Sequence, residues 1–222
     1  MDRASQPKRT CGSCGLSDQA PDPSEILMCN SCGGAQPVPA NRDYFALLGV
    51  PPRLILESCA LERRFYELSR ALHPDRFSNA PVSVRRSSLE WMSLVNQAYK
   101  TLRDPMTRRE YLLSLHGIDL EGRGGVPLQL AESWFDLQDT LNENASEQSR
   151  EKVLGFRAQL SQIQSELSSR LSDLDRKIDE AAAHSEEGNA LLLELAQALR
   201  KRTYLDSLFR DVQRFATRIE AA

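Results

Sequence analysis

The chain has 222 residues, 41% hydrophobic and 27% charged, enough for one or two small globular domains. No apolar run approaches the eighteen or so residues of a membrane-crossing helix, and Met1 to Thr10 lacks the apolar core of a secretory signal, so a soluble protein is expected. The net charge of −3 is unevenly spread: residues 1–40 hold three basic and four acidic side chains, residues 41–118 twelve and eight, and residues 119–222 thirteen and nineteen. A mildly basic middle and an acidic tail suit two different partners, and neither carries the concentrated basic face of a nucleic-acid binder.

Residues 1–40 are rich in Gly, Pro, Ser and Cys and poor in large apolar side chains, so they need a crosslink to fold. Cys11 and Cys14 form one Cys-x-x-Cys pair and Cys29 and Cys32 another, fourteen residues apart, each followed by a glycine (Gly15, Gly33). Two such knuckles can surround a metal with four thiolates, and filling all four positions makes the site structural. Zinc is the expected ion, and iron in a rubredoxin-like centre would satisfy the same ligands. A redox pair would need a strand-helix setting that is missing here, and disulfides would need an oxidising compartment. Cys59, alone at a helix start, is expected to be a small buried hydrophobe. Pro37 to Pro39 reads as a stiff linker.

Residues 41–118 hold four helix patterns. Asp43 opens a short one through Leu48, stopped by Gly49 and the Pro51-Pro52 pair. Ser58 is the expected N-cap of the next, with Leu61, Phe65, Leu68 and Leu72 at helical spacing and Arg63, Arg64 and Arg70 on the other side. His73-Pro74-Asp75 follows, then a polar loop and a third helix over Val82 to Arg103, whose stripe is Leu89, Met92, Val95, Tyr99 and Leu102. A fourth runs from Thr107 to His116 and closes at Gly117. No nucleophile-and-orienter set surrounds His73, and no Gly-rich phosphate loop exists, so no catalytic residue is assigned and the chain is expected to be no enzyme.

A Gly-rich linker over residues 119–126 leads to a helical region, 127–222. Leu130, Trp134, Leu137 and Leu141 make one apolar stripe; a long one runs from Val153 to Ile178; the last runs from Leu195 to Ile219 and is interrupted by Arg202. Two long helices joined near Glu187-Gly188 and one shorter helix give an antiparallel three-helix bundle. Glu132, Asp136, Asp139 and Glu143 lie opposite the first stripe, with no basic residue among them in the sequence. The fold class expected is thus mainly α: a four-cysteine zinc-ribbon or rubredoxin-like knuckle module (1–40), a helical hairpin with flanking short helices (41–118), and the bundle.

The helix-His-Pro-Asp-helix layout resembles a J-domain, the loop of which meets a DnaK-type heat-shock chaperone. NRDYFALLGV from Asn41 to Val50 resembles the opening of such domains, and NQAYKTLRDP from Asn96 to Pro105 their third helix. REYLLSLHGID from Arg109 to Asp119, with the acidic helical tail, is similar to the HscB type, the co-chaperone of iron–sulfur cluster assembly. The resemblance implies that His73, Pro74 and Asp75 contact an HscA- or DnaK-type chaperone and stimulate its ATPase, with Arg64 and Arg70 steering along the preceding helix. It implies that the tail docks an IscU-type scaffold through the acidic stripe, with Phe135 as anchor and Tyr204 aligned with a family aromatic. Where family members carry Leu-Met, this chain has Ala131-Glu132. The alternative is a J-domain co-chaperone serving other clients. A bacterial cytoplasmic protein is expected, with the mitochondrial matrix as the alternative; no membrane or nucleic-acid partner is expected, and a homodimer is left open.

Overall fold

The computed structural model describes residues 9–11, 13–18, 27–39, 42–120, 128–143, 147–181 and 185–220. The expected linker, Gly122 to Gly125, lies outside them. The chain divides into two compact units, Met1–Leu112 and Leu113–Ala222. Among the described residues are seven α-helices, a short 3-10 turn and one two-stranded ribbon.

In the first unit each Cys-x-x-Cys pair sits on its own small antiparallel turn. Strands β1 (Arg9–Thr10) and β2 (Ser17–Asp18) pair with Arg9 opposite Asp18, and an isolated bridge joins Met28 to Ala35 around the second pair. Helix α1 (Tyr44–Leu48) starts at Asp43, whose carboxylate accepts from the N–H groups of Phe45 and Ala46, and ends at Gly49 with φ 62°. Only glycine takes that conformation cheaply, and it lets the Gly49 N–H return to the helix as a cap. Helix α2 (Ser58–Leu72) and helix α3 (Val82–Arg103) form the hairpin, joined through a 3-10 turn, Pro74–Phe77. Helix α4 (Pro105–Leu115) starts two residues before the expected Thr107, because the Asp104 carboxylate accepts from Met106 N–H and Thr107 N–H, each at 2.9 Å. Gly117 has φ 70° and closes it as expected.

Three expectations fail here. Ser58 is the first helical residue, and the cap position is Glu57, which makes no side-chain capping bond. Leu89 is 58% exposed, because the buried face of α3 is Val84, Ser88, Trp91, Val95, Ala98 and Leu102. Cys59 is exposed rather than buried, since Leu61 and Leu68 set the inward face of α2.

In the second unit, helix α5 (Leu128–Glu143) buries Leu130, Trp134 and Leu137 as expected. The long helices α6 (Glu147–Glu180) and α7 (Glu186–Glu220) are antiparallel: Gln164 donates to Asp206 at 3.1 Å while Arg170, farther along α6, meets Glu194, earlier in α7, at 2.7 Å. Leu160, Leu171, Leu174, Leu195 and Leu205 fill the seam between them. Trp134 reaches both, 5.8 Å from the Phe156 ring and 5.9 Å from that of Phe215. The joint precedes the expected Glu187-Gly188: α6 is over by Ala181, and the Ser185 hydroxyl accepts from Gly188 N–H inside the first turn of α7. Arg202 resolves its place on the apolar stripe by turning along the helix to Asp206, 3.5 Å away.

Candidate functional site

His73 is the residue before a proline, a place sterically pushed out of helical geometry, and its φ of −57° and ψ of 130° end α2 there. Pro74 then occupies the first position of the 3-10 turn, where its missing N–H costs nothing. The His73 Nδ1 accepts from Asp75 N–H at 3.3 Å and also lies 3.5 Å from the Asp75 carboxylate. The two side chains are 54% and 90% exposed, so the tip presents an imidazole and a carboxylate fixed against each other and open to a partner.

The tip is held from behind by residues the sequence did not single out. Phe77 is 7% exposed, in a turn that packs on α3. Buried Ser88 donates from Oγ to the Leu72 carbonyl at 2.7 Å, satisfying one of the acceptors that α2 leaves open at its end. Arg76 donates to the Arg70 carbonyl at 3.3 Å. A buried serine on an apolar stripe was the only signal, and helical periodicity discounts it.

The two arginines expected to steer a partner differ. Arg70 is exposed. Arg64 is half-buried and committed: its Nε donates to the Leu48 carbonyl at 3.3 Å and its NH1 meets Glu67 at 2.8 Å. Arg64 therefore ties α2 to the end of α1.

The four expected thiols converge. The sulfurs of Cys11, Cys14, Cys29 and Cys32 all lie within 4.8 Å of one another, with Cys11 to Cys32 at 3.7 Å and Cys14 to Cys29 at 3.8 Å. A tetrahedral site with metal–sulfur bonds of ~2.3 Å has edges of about 3.8 Å, so the set fits a metal ion; disulfide sulfurs would be ~2.05 Å apart. The geometry is made locally. Gly15 and Gly33, at φ 72° and 68°, turn their N–H groups back to the carbonyls of Cys11 and Cys29, and Ser13 N–H donates to the Cys11 sulfur at 3.3 Å. Burial opposes ionisation of the Cys11 thiol, but the N–H groups of Cys14 and Ser13 and the Gln36 amide outweigh it and bring it down to about 6. Cys14 moves the other way: the Leu16 N–H favours its thiolate, yet desolvation and the neighbouring thiols of Cys11, Cys32 and Cys29 push it up to about 12. Four crowded sulfurs cannot all carry charge without a cation among them.

On α5, Glu132, Phe135, Asp136 and Asp139 are all exposed, Phe135 by 62%. Glu143 lies in the last turn of that helix, and its side chain is outside the described residues. Tyr204, on α7, is half-buried. Ala131 is half-buried beside exposed Glu132.

Residues 43–111 match the family model of the DnaJ domain. With a His-Pro-Asp tip between two packed helices, the chain contains a J-domain. Its wider architecture is that of the HscB co-chaperones. The crystal structure of human co-chaperone protein HscB is similar at TM-score 0.64 and 25% identity, over 92% of this chain and 97% of that one. Chaperone HscB from Vibrio cholerae matches at TM-score 0.53 and 24% identity, over 80% of this chain and 99% of that one, a likeness of fold. The chain thus contains a J-domain, shares the fold of the HscB structures and brings four thiols to the spacing of a metal site.

Proposed function

We propose that this protein stimulates the ATPase of an HscA- or DnaK-type chaperone and brings to it an IscU-type scaffold bearing a nascent iron–sulfur cluster. The observation that carries the reading is the His73-Pro74-Asp75 tip, exposed at its polar ends and pinned at its base. In this reading the tip touches the partner's nucleotide switch and Arg70 adds long-range attraction. The chain itself breaks no bond. Phe135, within the acidic stripe of Glu132, Asp136, Asp139 and Glu143, anchors the scaffold, with Tyr204 as a further aromatic of that surface. Zinc held by Cys11, Cys14, Cys29 and Cys32 crosslinks the N-terminal module and supplies no reaction chemistry. The bacterial cytoplasm is the compartment we favour.

His73→Gln should abolish stimulation of the chaperone ATPase while helicity and scaffold binding persist; a variant as stimulatory as the unaltered protein would refute the J-domain assignment of activity. A second reading, service to other clients, draws on Ala131-Glu132, which puts a charge where HscB-type tails are apolar. Calorimetric titration with an IscU-type scaffold separates the two. Heat with the intact protein, lost in the Phe135→Ala/Asp136→Lys variant, supports the first reading; no heat with the intact protein supports the second.

A further inference from the structure

One residue touches both the thiol cluster and the J-domain. Gln36 donates from Nε2 to the Cys11 sulfur at 3.2 Å and to the Gly34 carbonyl at 3.0 Å, while its backbone carbonyl accepts from Trp91 Nε1 at 2.6 Å. Trp91 is fully buried on α3, and the Arg42 guanidinium stands over its ring at 5.2 Å. Three residues before Trp91, on the same face of α3, is Ser88, whose hydroxyl holds the Leu72 carbonyl next to His73. The links at either end are buried or half-buried hydrogen bonds, the kind that is costly to leave unmade, and Trp91 and Ser88 are joined by one turn of α3.

From this continuity we infer that occupancy of the thiol cluster sets how firmly the His-Pro-Asp tip is held, through Gln36, Trp91 and Ser88. The inference rests on the metal and J-domain readings above and adds a regulation to them. With the four sulfurs fixed around an ion, the Cys11 sulfur would orient the Gln36 amide, and the peptide of Gln36 would stay docked on the indole. When the ion leaves, nothing holds the four sulfurs together, the Cys11 sulfur is free to move away from the Gln36 amide, and the indole N–H loses a fixed partner. The α3 turn that carries Ser88 is then less constrained, and so is the end of α2. Metal supply would thereby tune chaperone stimulation without any ligand at the tip. Gln36 acts here as a positioning residue for Cys11, and groups in that role typically change metal affinity by roughly ten- to a hundredfold when removed.

The test uses the full chain with Trp134→Phe, which leaves Trp91 as the sole indole. Zinc content and free thiols are measured first, then indole emission and amide exchange of residues 72–78, before and after removal of zinc by a chelator. The expected result is red-shifted Trp91 emission and several-fold faster exchange at 72–78 on zinc loss, with exchange in residues 160–178 unchanged. Gln36→Ala should lower zinc affinity about tenfold. Ser88→Ala, a small change, should leave the Trp91 response to zinc intact while exchange at 72–78 is already fast and no longer zinc-dependent. If zinc binds but neither emission nor exchange responds, or emission alone responds in the Ser88-containing chain, the inference falls and the metal reading stands. If all four thiols remain titratable after zinc is supplied, the metal reading itself falls, and the inference with it.

Discussion

Arg64 and Arg70 lie on the same helix and look equivalent in sequence, yet Arg64 is half-buried and Arg70 exposed. Arg64 reaches the Leu48 carbonyl at the end of α1, and a Cβ built on Gly49 would stand 3.0 Å from its NH2. Arg64→Ala should therefore cost about 1–2 kcal/mol in denaturant unfolding, the worth of a charge-assisted hydrogen bond. Arg70→Ala should stay within about 0.5 kcal/mol of the parent and instead weaken chaperone association, measured by surface-immobilised binding. Tyr111 offers a pH test. Its hydroxyl donates to Asp43 at 3.1 Å and accepts from Tyr44 N–H at 2.8 Å. Burial first, then the Asp43 carboxylate, outweigh the Tyr44 N–H and hold the phenol above its ordinary range. The folded state thus keeps a proton that the unfolded chain releases above about pH 10, so stability falls as pH rises past that point. Tyr111→Phe should flatten that decline in thermal melts taken between about pH 9 and 11; a decline of unchanged slope would contradict the assignment.

Among the elements, what was legible in the sequence is what local physics decides. The α2 and α3 spans, the Gly117 stop of α4, and the apolar seams of α5, α6 and α7 follow from spacing and glycine placement. Leu89 reads as core because it falls on a helical stripe, but Trp91 and Ser88 take the inward face through partners in the Gln36 segment and at the end of α2. Such long-range pairs leave no periodic trace. The joint between α6 and α7 falls just ahead of Glu187-Gly188 because the Ser185 hydroxyl caps α7 there, and a glycine in a first turn is tolerated. The four thiols were readable from spacing alone; Gln36, which addresses one of them, was not. The seam between the long helices gives a sharp prediction: Leu171, 1% exposed, should cost about 2–5 kcal/mol when cut to alanine in urea unfolding. Leu154→Ala on the same helix, at a position 63% exposed, should cost little.

For the molecule as a whole, charge is distributed by function in the reading offered above: residues 41–118 carry four more basic than acidic side chains, and residues 119–222 six more acidic than basic, from the counts of twelve to eight and thirteen to nineteen. Attraction of this type acts mainly on encounter, so raising salt from about 0.05 to 0.5 M should slow association with both chaperone and scaffold while changing dissociation far less, as read by stopped-flow. Equal slowing of both rates would argue against steering. The way Phe77 seats the turn from its inner side has a further consequence. Because the turn packs on α3 from within, its outward imidazole and carboxylate are displayed on a base that is already formed. Such a tip behaves like a key bit on a fixed shaft: whatever it meets finds it already in shape, so little ordering entropy has to be lost on contact.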